Sequence, residues 1–227
     1  MSLPLEEIAT RQGYRFMVRP EGPAHDRGIL REQFDENVYR VNEDQVKGKV
    51  IADLGANIGA FSIHTALLGA KKVLAFEPEP NNWDMLLQNI ELNRVTGTIY
   101  TRKVAISDTA KPYIITDDAG GSFITSDYDG PLRTALCEAI TLDEAFAGEE
   151  YVDICKLDVE RSEYGILLGA SDETLAKIGA IVMEFHTIDA MTYDKMLDRL
   201  SIFFKLDIIG HHSRGGLLFG VAKDARP

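Results

Sequence analysis

A glycine-containing turn near residue 55 combines residue types that could bind a positively charged nucleoside. The apolar run Lys49–Leu54 contains Asp53, and Gly55 and Gly59 follow it with Asn57 between them. Glycine has no Cβ atom, so the backbone of this turn can pass close to a ligand. A dinucleotide-binding fingerprint needs a second glycine where this chain has Asn57. Because Asp53 also makes the turn acidic, we predict a cationic ligand rather than a diphosphate.

A second acid, Glu77, ends the next apolar run, 24 residues after Asp53. At the end of the second strand of a parallel sheet, a carboxylate can accept hydrogen bonds from both ribose hydroxyls of a nucleoside. Isolated acids also end strands and cap turns, so the prediction depends on both positions together. The two acids favour S-adenosylmethionine, which carries a sulfonium and an ammonium group. We predict that Pro78 and Ala105 also contact this cofactor.

The segments that hold these residues alternate between strand and helix. Apolar runs predict strands at residues 49–55, 72–77, 98–106, 152–157 and 180–185. Helical spacing marks Ala60–Leu68 and the segment beginning at Asn81, which we expect to be its cap. This order predicts an α/β fold with a doubly wound, Rossmann-like, mostly parallel sheet. The last two runs, 203–209 and 217–222, are joined by a short turn and predict an antiparallel C-terminal hairpin.

Residues 1–47 show weaker periodicity, because glycines and prolines interrupt their short apolar pieces. We predict an N-terminal lobe or lid over residues 1–47, with one short helix near Ile29–Asn37, and a main domain over residues 48–227. The aromatic residues of this lobe could cover the ligand cleft or simply pack on the sheet: Tyr14, Phe16, Phe34 and Tyr39.

The composition excludes several classes of partner. Lys and Arg total 24 against 36 Asp and Glu, which gives a formal charge of −12. A field of this sign repels phosphate backbones, so we predict no nucleic-acid and no membrane partner. No apolar stretch reaches the roughly 18–20 residues of a membrane span, and the first residues lack the basic start of a signal peptide. With only two cysteines, a disulfide scaffold is excluded, and we predict a cytoplasmic protein.

Together these pieces resemble the FkbM family of class I S-adenosylmethionine-dependent methyltransferases. The resemblance rests on these segments and positions, in chain order: Asp53–Ser62, Phe76–Pro80, Asn82, Leu86, Asn89, Asn93, Lys156–Glu160, Glu163 and Glu184–His186. It implies a seven-stranded sheet whose last two strands form the C-terminal hairpin. It also implies O-methylation of a hydroxyl on a small metabolite or glycan, with S-adenosylhomocysteine as the other product.

Three residues after the later strands could carry this chemistry, namely Asp158, Glu160 and His186. An alcohol attacks poorly while it is protonated, so a positioned base accelerates the reaction. His186 is the first candidate because it ends a predicted parallel strand and histidine titrates near ~6.5. It could equally be a hydrogen-bonded structural residue. Asp158 and Glu160 could orient the substrate, accept a proton or bind a divalent ion with Glu184 or His186, and the spacing does not choose among these roles. The acids and the histidine could also form only a charge network that Lys156 or Arg161 compensates.

One position departs from the family pattern. The family usually has glycine after the Asp-Val-Glu sequence, where this chain has Arg161. We expect the arginine to fill the space beside the acids with a cation. A cofactor-binding module without methyl transfer is therefore an alternative function. A nicotinamide-dependent oxidoreductase is a third, against which the incomplete glycine fingerprint argues.

Overall fold

The computed structural model describes residues 5–20, 25–111, 113–118, 121–125 and 135–224, with the backbone alone at 113–118, 121–125 and 135. The strands, in chain order, are β1 (Glu6–Ala9), β2 (Arg15–Val18), β3 (Val50–Leu54), β4 (Lys72–Phe76), β5 (Ile99–Arg102), β6 (Ala105–Ile106), β7 (Tyr113–Asp118), β8 (Gly121–Thr125), β9 (Ala135–Cys137), β10 (Ala139–Ile140), β11 (Val152–Leu157), β12 (Ile178–Phe185), β13 (Phe204–His211) and β14 (Gly215–Ala222). The helices are α1 (Asp26–Arg31), α2 (Glu43–Val46), α3 (Ala60–Leu67), α4 (Pro80–Leu92), α5 (Leu142–Ala145), α6 (Glu163–Gly169), α7 (Asp172–Ala176) and α8 (Ala190–Phe203). A π-helix, Glu32–Glu36, directly follows α1.

Seven of these strands form one sheet in the order β13-β14-β12-β11-β3-β4-β5. Strands β12, β11, β3, β4 and β5 are mutually parallel, whereas β14 runs antiparallel to both β12 and β13. The predicted seven-stranded, mostly parallel α/β sheet with an antiparallel C-terminal hairpin is therefore confirmed. The strand order reverses between β3 and β11. Open parallel sheets bind ligands beyond the carboxyl ends of their strands at such a reversal.

Helices cover both faces of this sheet, and the side chains of each strand alternate between the faces. Along β3, Ile51 belongs to the core beneath α3, α4 and the N-terminal segment, whereas Ala52 and Leu54 belong to the core beneath α6 and α8. Side chains two positions apart share a face of a strand. Asp53 therefore points to the same face as Ile51, toward α3 and the N-terminal segment. No helix among the described residues is long and apolar enough to cross a membrane.

Two asparagines, one in α4 and one directly after it, attach the β1–β2 hairpin to the rest of the molecule. Asn89 accepts a hydrogen bond from the amide of Met17 at 2.7 Å and donates to its carbonyl at 3.2 Å. Asn93 makes the same pair of bonds with Arg15, at 3.1 and 2.6 Å. These amide side chains thus make the hydrogen bonds to the backbone N–H and C=O groups of β2 that a neighbouring strand would otherwise make. Asn89 also donates to the carbonyl of Ile58 at 2.9 Å, which links the hairpin to the glycine turn.

The structure refines one local prediction and corrects another. The third predicted strand lies within Thr98–Ile106 as β5, after which the chain leaves the sheet and β6 pairs with β10. Helix α4 is not capped by Asn81. It begins at Pro80, and Glu79 is the cap because its carboxylate accepts a hydrogen bond from the amide of Asn82 at 2.6 Å.

The single predicted N-terminal helix is also different, since α1 continues directly into the π-helix. The π-helix packs on α3 through a buried histidine, His64. Nε2 of Gln33 lies 2.7 Å from Nδ1 of His64, and the Phe34 ring centroid lies 4.9 Å from that of His64. Burial lowers the pKa of His64 to about 4, so the folded protein keeps this imidazole neutral.

We expect the substitution His64→Asn to reduce the loss of stability in acid. The pKa of His64 is about 4 when folded against 6.5 when unfolded. As the pH falls from 6.5 toward 4, the free energy of unfolding of the wild type should therefore decrease by about 2–3 kcal/mol. Asparagine keeps a polar group beside Gln33 but does not titrate.

Urea unfolding of the wild type and of His64→Asn at pH 7 and pH 4 measures this difference. His211→Asn, at an exposed histidine, should lose as much stability as the wild type. Equal losses in His64→Asn would exclude His64 as the cause.

Candidate active site

The turn between β3 and α3 has a backbone conformation and a packing that require glycine at position 55. Gly55 has a φ of +81°, and a Cβ atom there would lie 1.9 Å from the carbonyl oxygen of Asp158. Asn57 and Gly59 also have positive φ values, of 51° and 93°. The glycine turn and the chain after β11 are therefore in direct backbone contact.

Glu77, directly after β4, points at this turn. Its Oε2 accepts a hydrogen bond from the amide of Asn57 at 2.7 Å, and its Oε1 accepts one from the amide of Glu79 at 2.9 Å. Burial raises the pKa of Glu77 to about 7, although these two amide donors oppose the shift. Each carboxylate oxygen has a second lone pair. Glu77 can therefore accept further hydrogen bonds from a ligand while it stays attached to the turn.

A buried lysine joins the acids of the two central strands. Lys156 of β11 is the register partner of Asp53 in β3, and its Nζ lies 3.2 Å from Asp53 Oδ1 and 3.7 Å from Asp158 Oδ2. Nζ also donates to the carbonyl of Gly55 at 2.7 Å, while the Ser62 hydroxyl donates to Asp53 Oδ2 at 2.6 Å. Burial alone would lower the pKa of Lys156, but Asp53 and Asp158 raise it above its ordinary value. The lysine therefore remains charged although it is only 4% exposed.

A cavity lies between the glycine turn and the N-terminal segment. Its walls are formed by Ile29, Glu32, Gln33, Tyr39, Gly55, Ala56, Asn57, Ala60, Phe61, Lys156 and Asp158. The Tyr39 hydroxyl donates to Asp158 Oδ2 at 3.1 Å and so closes one side. Gln33 is 2% exposed, and its Oε1 has no hydrogen-bond partner within the described part of the chain. A buried amide oxygen without a partner is costly, so this atom is a candidate to accept a hydrogen bond from a ligand.

The three residues predicted to carry the chemistry meet beyond β11 and β12. Nε2 of His186 lies 3.1 Å from Glu160 Oε2, and its Nδ1 lies 3.0 Å from Oε1 of the fully buried Glu163. Hydrogen bonds with these two carboxylates raise the pKa of His186 to about 10. A general base must be unprotonated, and in this arrangement His186 holds its proton near neutral pH. A base role for His186 stays a prediction and requires one of the two carboxylates to move away.

A third acid stands beside this group. Burial and the neighbouring Asp158 raise the pKa of Glu184, the penultimate residue of β12, to about 7. Glu32 of the π-helix and Glu160 act on Glu184 in the same direction. The carboxylates at this edge of the sheet therefore repel one another, and a cation placed among them would be stabilised.

Arg161 adopts the backbone conformation that glycine prefers. Its φ is 76°, and that of Glu160 before it is 50°, so two consecutive residues lie in the left-handed region. This conformation explains why a glycine is usual at this position. The Arg161 side chain is exposed. The expectation that it places a cation beside the acids stays a prediction.

The predicted cofactor residues lie in and directly behind the cavity wall, with two exceptions. Gly55 and Asn57 line the cavity, and each of three others bonds to a residue that lines it: Asp53 to Lys156, Glu77 to Asn57, and the amide of Gly59 to the carbonyl of Ala56. Pro78 is half-buried and Ala105 is buried, and neither lines this cavity. Ala105 lies in β6, where its amide donates to the carbonyl of Glu138.

Sequence reasoning did not identify Gln33 or Glu32 as cavity residues, and it treated Lys156 only as a compensating charge. The irregular N-terminal segment has no periodicity that could show which side chains face the sheet. For Lys156 a signal existed, because a lysine at the end of a buried strand needs an acidic partner.

Comparison with known proteins identifies the family to which this chain belongs. The model of the Methyltransferase FkbM domain matches residues 53–207, which is more than half of the chain. The chain belongs to the FkbM methyltransferase family. The matched region begins at Asp53 and includes Glu77, Lys156, Asp158 and His186. The resemblance found in the sequence is thus confirmed, and family and fold together support a methyltransferase function.

Individual FkbM relatives are similar at moderate identity. The AMB antimetabolite synthetase AmbE of Pseudomonas aeruginosa is 27% identical over 70% of this chain, which spans only 9% of that protein. The 31-O-demethyl-FK506 methyltransferase FkbM of Streptomyces tacrolimicus is 26% identical, with 71% of this chain and 75% of the relative covered. Methyltransferase sdnD of Sordaria araneosa is 26% identical, with 75% and 81% covered.

Solved structures share the fold. Methyltransferase FkbM from Methylobacillus flagellatus KT matches with a TM-score of 0.55 at 17% identity, covering 87% of this chain and 50% of that one. TrmK of M. capricolum, in complex with S-adenosyl-homocysteine, matches with a TM-score of 0.50 at 14% identity, covering 85% and 69%. The chain thus spans about half the length of the M. flagellatus protein.

We expect Gly55→Ala to destabilise the protein far more than Gly48→Ala. Both glycines have positive φ values, +81° and +75°, but a Cβ atom at Gly48 would meet nothing within 4 Å. Gly48→Ala should therefore cost only the backbone strain, about 1 kcal/mol. Gly55→Ala should cost more than ~3 kcal/mol, because the oxygen it meets is backbone and cannot turn aside. Urea unfolding of both variants measures the difference. Similar losses would show that the turn and the chain after β11 separate easily.

We expect Lys156→Met to destabilise the protein by about 3–5 kcal/mol, because it leaves Asp53 charged and buried without its partner. Adding Asp53→Asn should recover part of the loss, so the double variant should be more stable than the two single losses predict. Lys47→Met is the matched control. It breaks an exposed pair with Glu43 and should cost less than ~0.5 kcal/mol. Strictly additive losses of stability at Lys156 and Asp53 would contradict a coupled pair.

Proposed function

We propose that this protein is an S-adenosylmethionine-dependent methyltransferase that acts on a hydroxyl group of a small molecule or sugar. The observation that carries the proposal is the hydrogen bond from the amide of Asn57 to Glu77. It fixes the acid after the second parallel strand at the glycine turn after the first. A nucleoside in the turn would therefore meet a carboxylate with free lone pairs at the position that suits its ribose.

The residues present fit this cofactor. Gly55, Ala56 and Asn57 line the cavity, so a ligand there would meet the glycine turn. Asp53 and Asp158 together carry more negative charge than Lys156 neutralises, which favours the sulfonium and ammonium groups. When bound, S-adenosylmethionine supplies an electrophilic methyl group, which passes to the acceptor oxygen while S-adenosylhomocysteine and the proton of the hydroxyl are released.

The chain's own contribution to the reaction is to position the acceptor. Asp158 is the one predicted catalytic residue that lines the cavity, and the Tyr39 hydroxyl holds its carboxylate in place. Gln33 also lines the cavity and adds a buried amide oxygen without a partner among the described residues. Alignment of an acceptor by such groups accounts for much of the acceleration in a displacement reaction. Asp158 and Glu160 are the acceptors we propose for the hydroxyl proton.

The relatives support the finer parts of the proposal. The S. tacrolimicus relative is named as a 31-O-demethyl-FK506 methyltransferase, and the M. capricolum neighbour was solved with S-adenosyl-homocysteine. A free small molecule or glycan is the acceptor we propose, since the charge of −12 disfavours nucleic acid. Both cysteines, Cys137 and Cys155, are buried and outside any disulfide, which supports a reducing compartment such as the cytoplasm.

We expect calorimetry to detect binding of S-adenosylmethionine to the wild type and an affinity at least 10-fold lower in Glu77→Gln. The glutamine removes the charge and turns one acceptor toward the ribose into a donor. Glu91→Gln, at an exposed glutamate on α4, is the matched control and should bind like the wild type. Thermal unfolding of each variant separates lost binding from lost structure.

Transfer is then measured with radiolabelled S-adenosylmethionine and a panel of hydroxylated acceptors. Label in a methyl ether supports the proposed function. Tight binding without transfer to any acceptor would favour the cofactor-binding module. No binding to folded wild type would overturn the proposal, and displacement by a nicotinamide dinucleotide instead would favour the oxidoreductase.

A further inference from the structure

We propose that Asp158, Glu160 and His186 bind a divalent transition-metal ion of the Mn²⁺ type at the edge of the sheet beyond β11 and β12. One ligand atom from each of the three residues lies within 4.8 Å of the others. His186 Nε2 and Glu160 Oε2 are 3.1 Å apart. Neighbouring ligands of an octahedral ion with bonds of about 2.1–2.2 Å are separated by roughly 3 Å. The His186 and Glu160 atoms therefore stand at ligand spacing, and Asp158 is close enough to complete the set.

A buried carboxylate orients the histidine for this role. Oε1 of Glu163 lies 3.0 Å from His186 Nδ1 and also accepts hydrogen bonds from the amides of Val159 and Arg161, at 3.2 Å each. These bonds place a proton on Nδ1 and turn Nε2 toward Glu160 and Asp158. Metal-binding histidines commonly donate their second ring nitrogen to a carboxylate in this way.

Glu163 provides a second, independent observation. The residue is fully buried, and its Oε2 has no hydrogen-bond partner within the described part of the chain. A buried carboxylate with an unsatisfied oxygen carries a desolvation cost that a purely structural contact does not repay. A divalent ion on the other side of the imidazole would stabilise this negative charge through His186.

Two further acids stand near the three ligands. Glu184 of β12 interacts electrostatically with Asp158 and Glu160, and Glu32 of the π-helix interacts with Asp158. Lys156 lies 3.7 Å from Asp158, and it also contacts Asp53 and the Gly55 carbonyl. Two carboxylates and one imidazole are a mixed donor set that suits Mn²⁺ or Fe²⁺ better than Ca²⁺, which prefers oxygen alone.

Three protein ligands leave coordination positions open, and Asp158 connects the metal site to the cavity because it lines that cavity as well. An acceptor hydroxyl that occupied an open position would have its pKa lowered by the ion. The protein would then not depend on His186 as a base. This role of the metal rests on the proposed function, whereas the binding of the ion does not.

The test is a titration of the full chain with Mn²⁺ alone, followed by electron paramagnetic resonance. We expect one tightly bound ion per chain in the wild type. His186→Ala and Glu160→Gln should each weaken binding at least 100-fold, and Glu163→Gln should weaken it about 10-fold. His211→Ala is the matched control, since the exposed His211 lies beside the half-buried His212 with ring centroids 4.1 Å apart, and such a pair could hold an ion by chance. This control should bind Mn²⁺ like the wild type.

Three results would overturn the inference: no stoichiometric Mn²⁺ on the wild type, binding that survives in both His186→Ala and Glu160→Gln, or binding that is lost in His211→Ala. Thermal unfolding checks each variant, and Glu160→Gln is safe for the fold because the Glu160 side chain is 40% exposed. Calorimetry with S-adenosylmethionine is run separately on the metal-free protein. Mn²⁺ binding without cofactor binding would support the metal site and overturn the proposed function, and the reverse result would do the opposite.

Discussion

One buried charge, the ammonium group of Lys156, holds the central part of the site together. It faces Asp53 across the two middle strands and bonds the carbonyl of Gly55, and it lies near Asp158. Water does not reach this group, so the partners of the lysine must stay where they are. The Lys156 side chain therefore couples three features: the register of β3 and β11, the path of the glycine turn and the position of Asp158.

The sequence allowed the frame of the fold and the cofactor half of the site to be predicted, because both depend on local patterns. Apolar runs ending in Asp53 and Glu77 identify parallel strands, and glycines at 55 and 59 identify a tight turn. The pairing of Lys156 with Asp53 could not be predicted in this way, since it follows from the register between strands far apart in sequence. The same is true of β6, which pairs with β10 outside the seven-stranded sheet, because that pairing also joins segments far apart in sequence.

The second half of the site shows how surroundings change the chemistry of a residue. Considered alone, His186 has the ordinary pKa of a base near neutral pH. Glu160 and Glu163, which flank it in space, bind its protonated form instead. Glu163 comes from the first turn of α6, and a pattern in the sequence does not show that this helix delivers a buried carboxylate to the end of β12. The role of the histidine is thus decided by tertiary contacts.

The wall opposite the glycine turn is built by residues 29–39, upstream of the segment that the FkbM domain matches. Asn89 and Asn93 anchor the nearby hairpin through its main chain, so that anchoring makes few demands on the hairpin's side chains. The side chains of the hairpin can therefore change without loss of these main-chain contacts. At the methyl-transfer site that we propose, changes among residues 29–39 would alter the wall that meets the acceptor and leave the glycine turn, Glu77 and Lys156 in place.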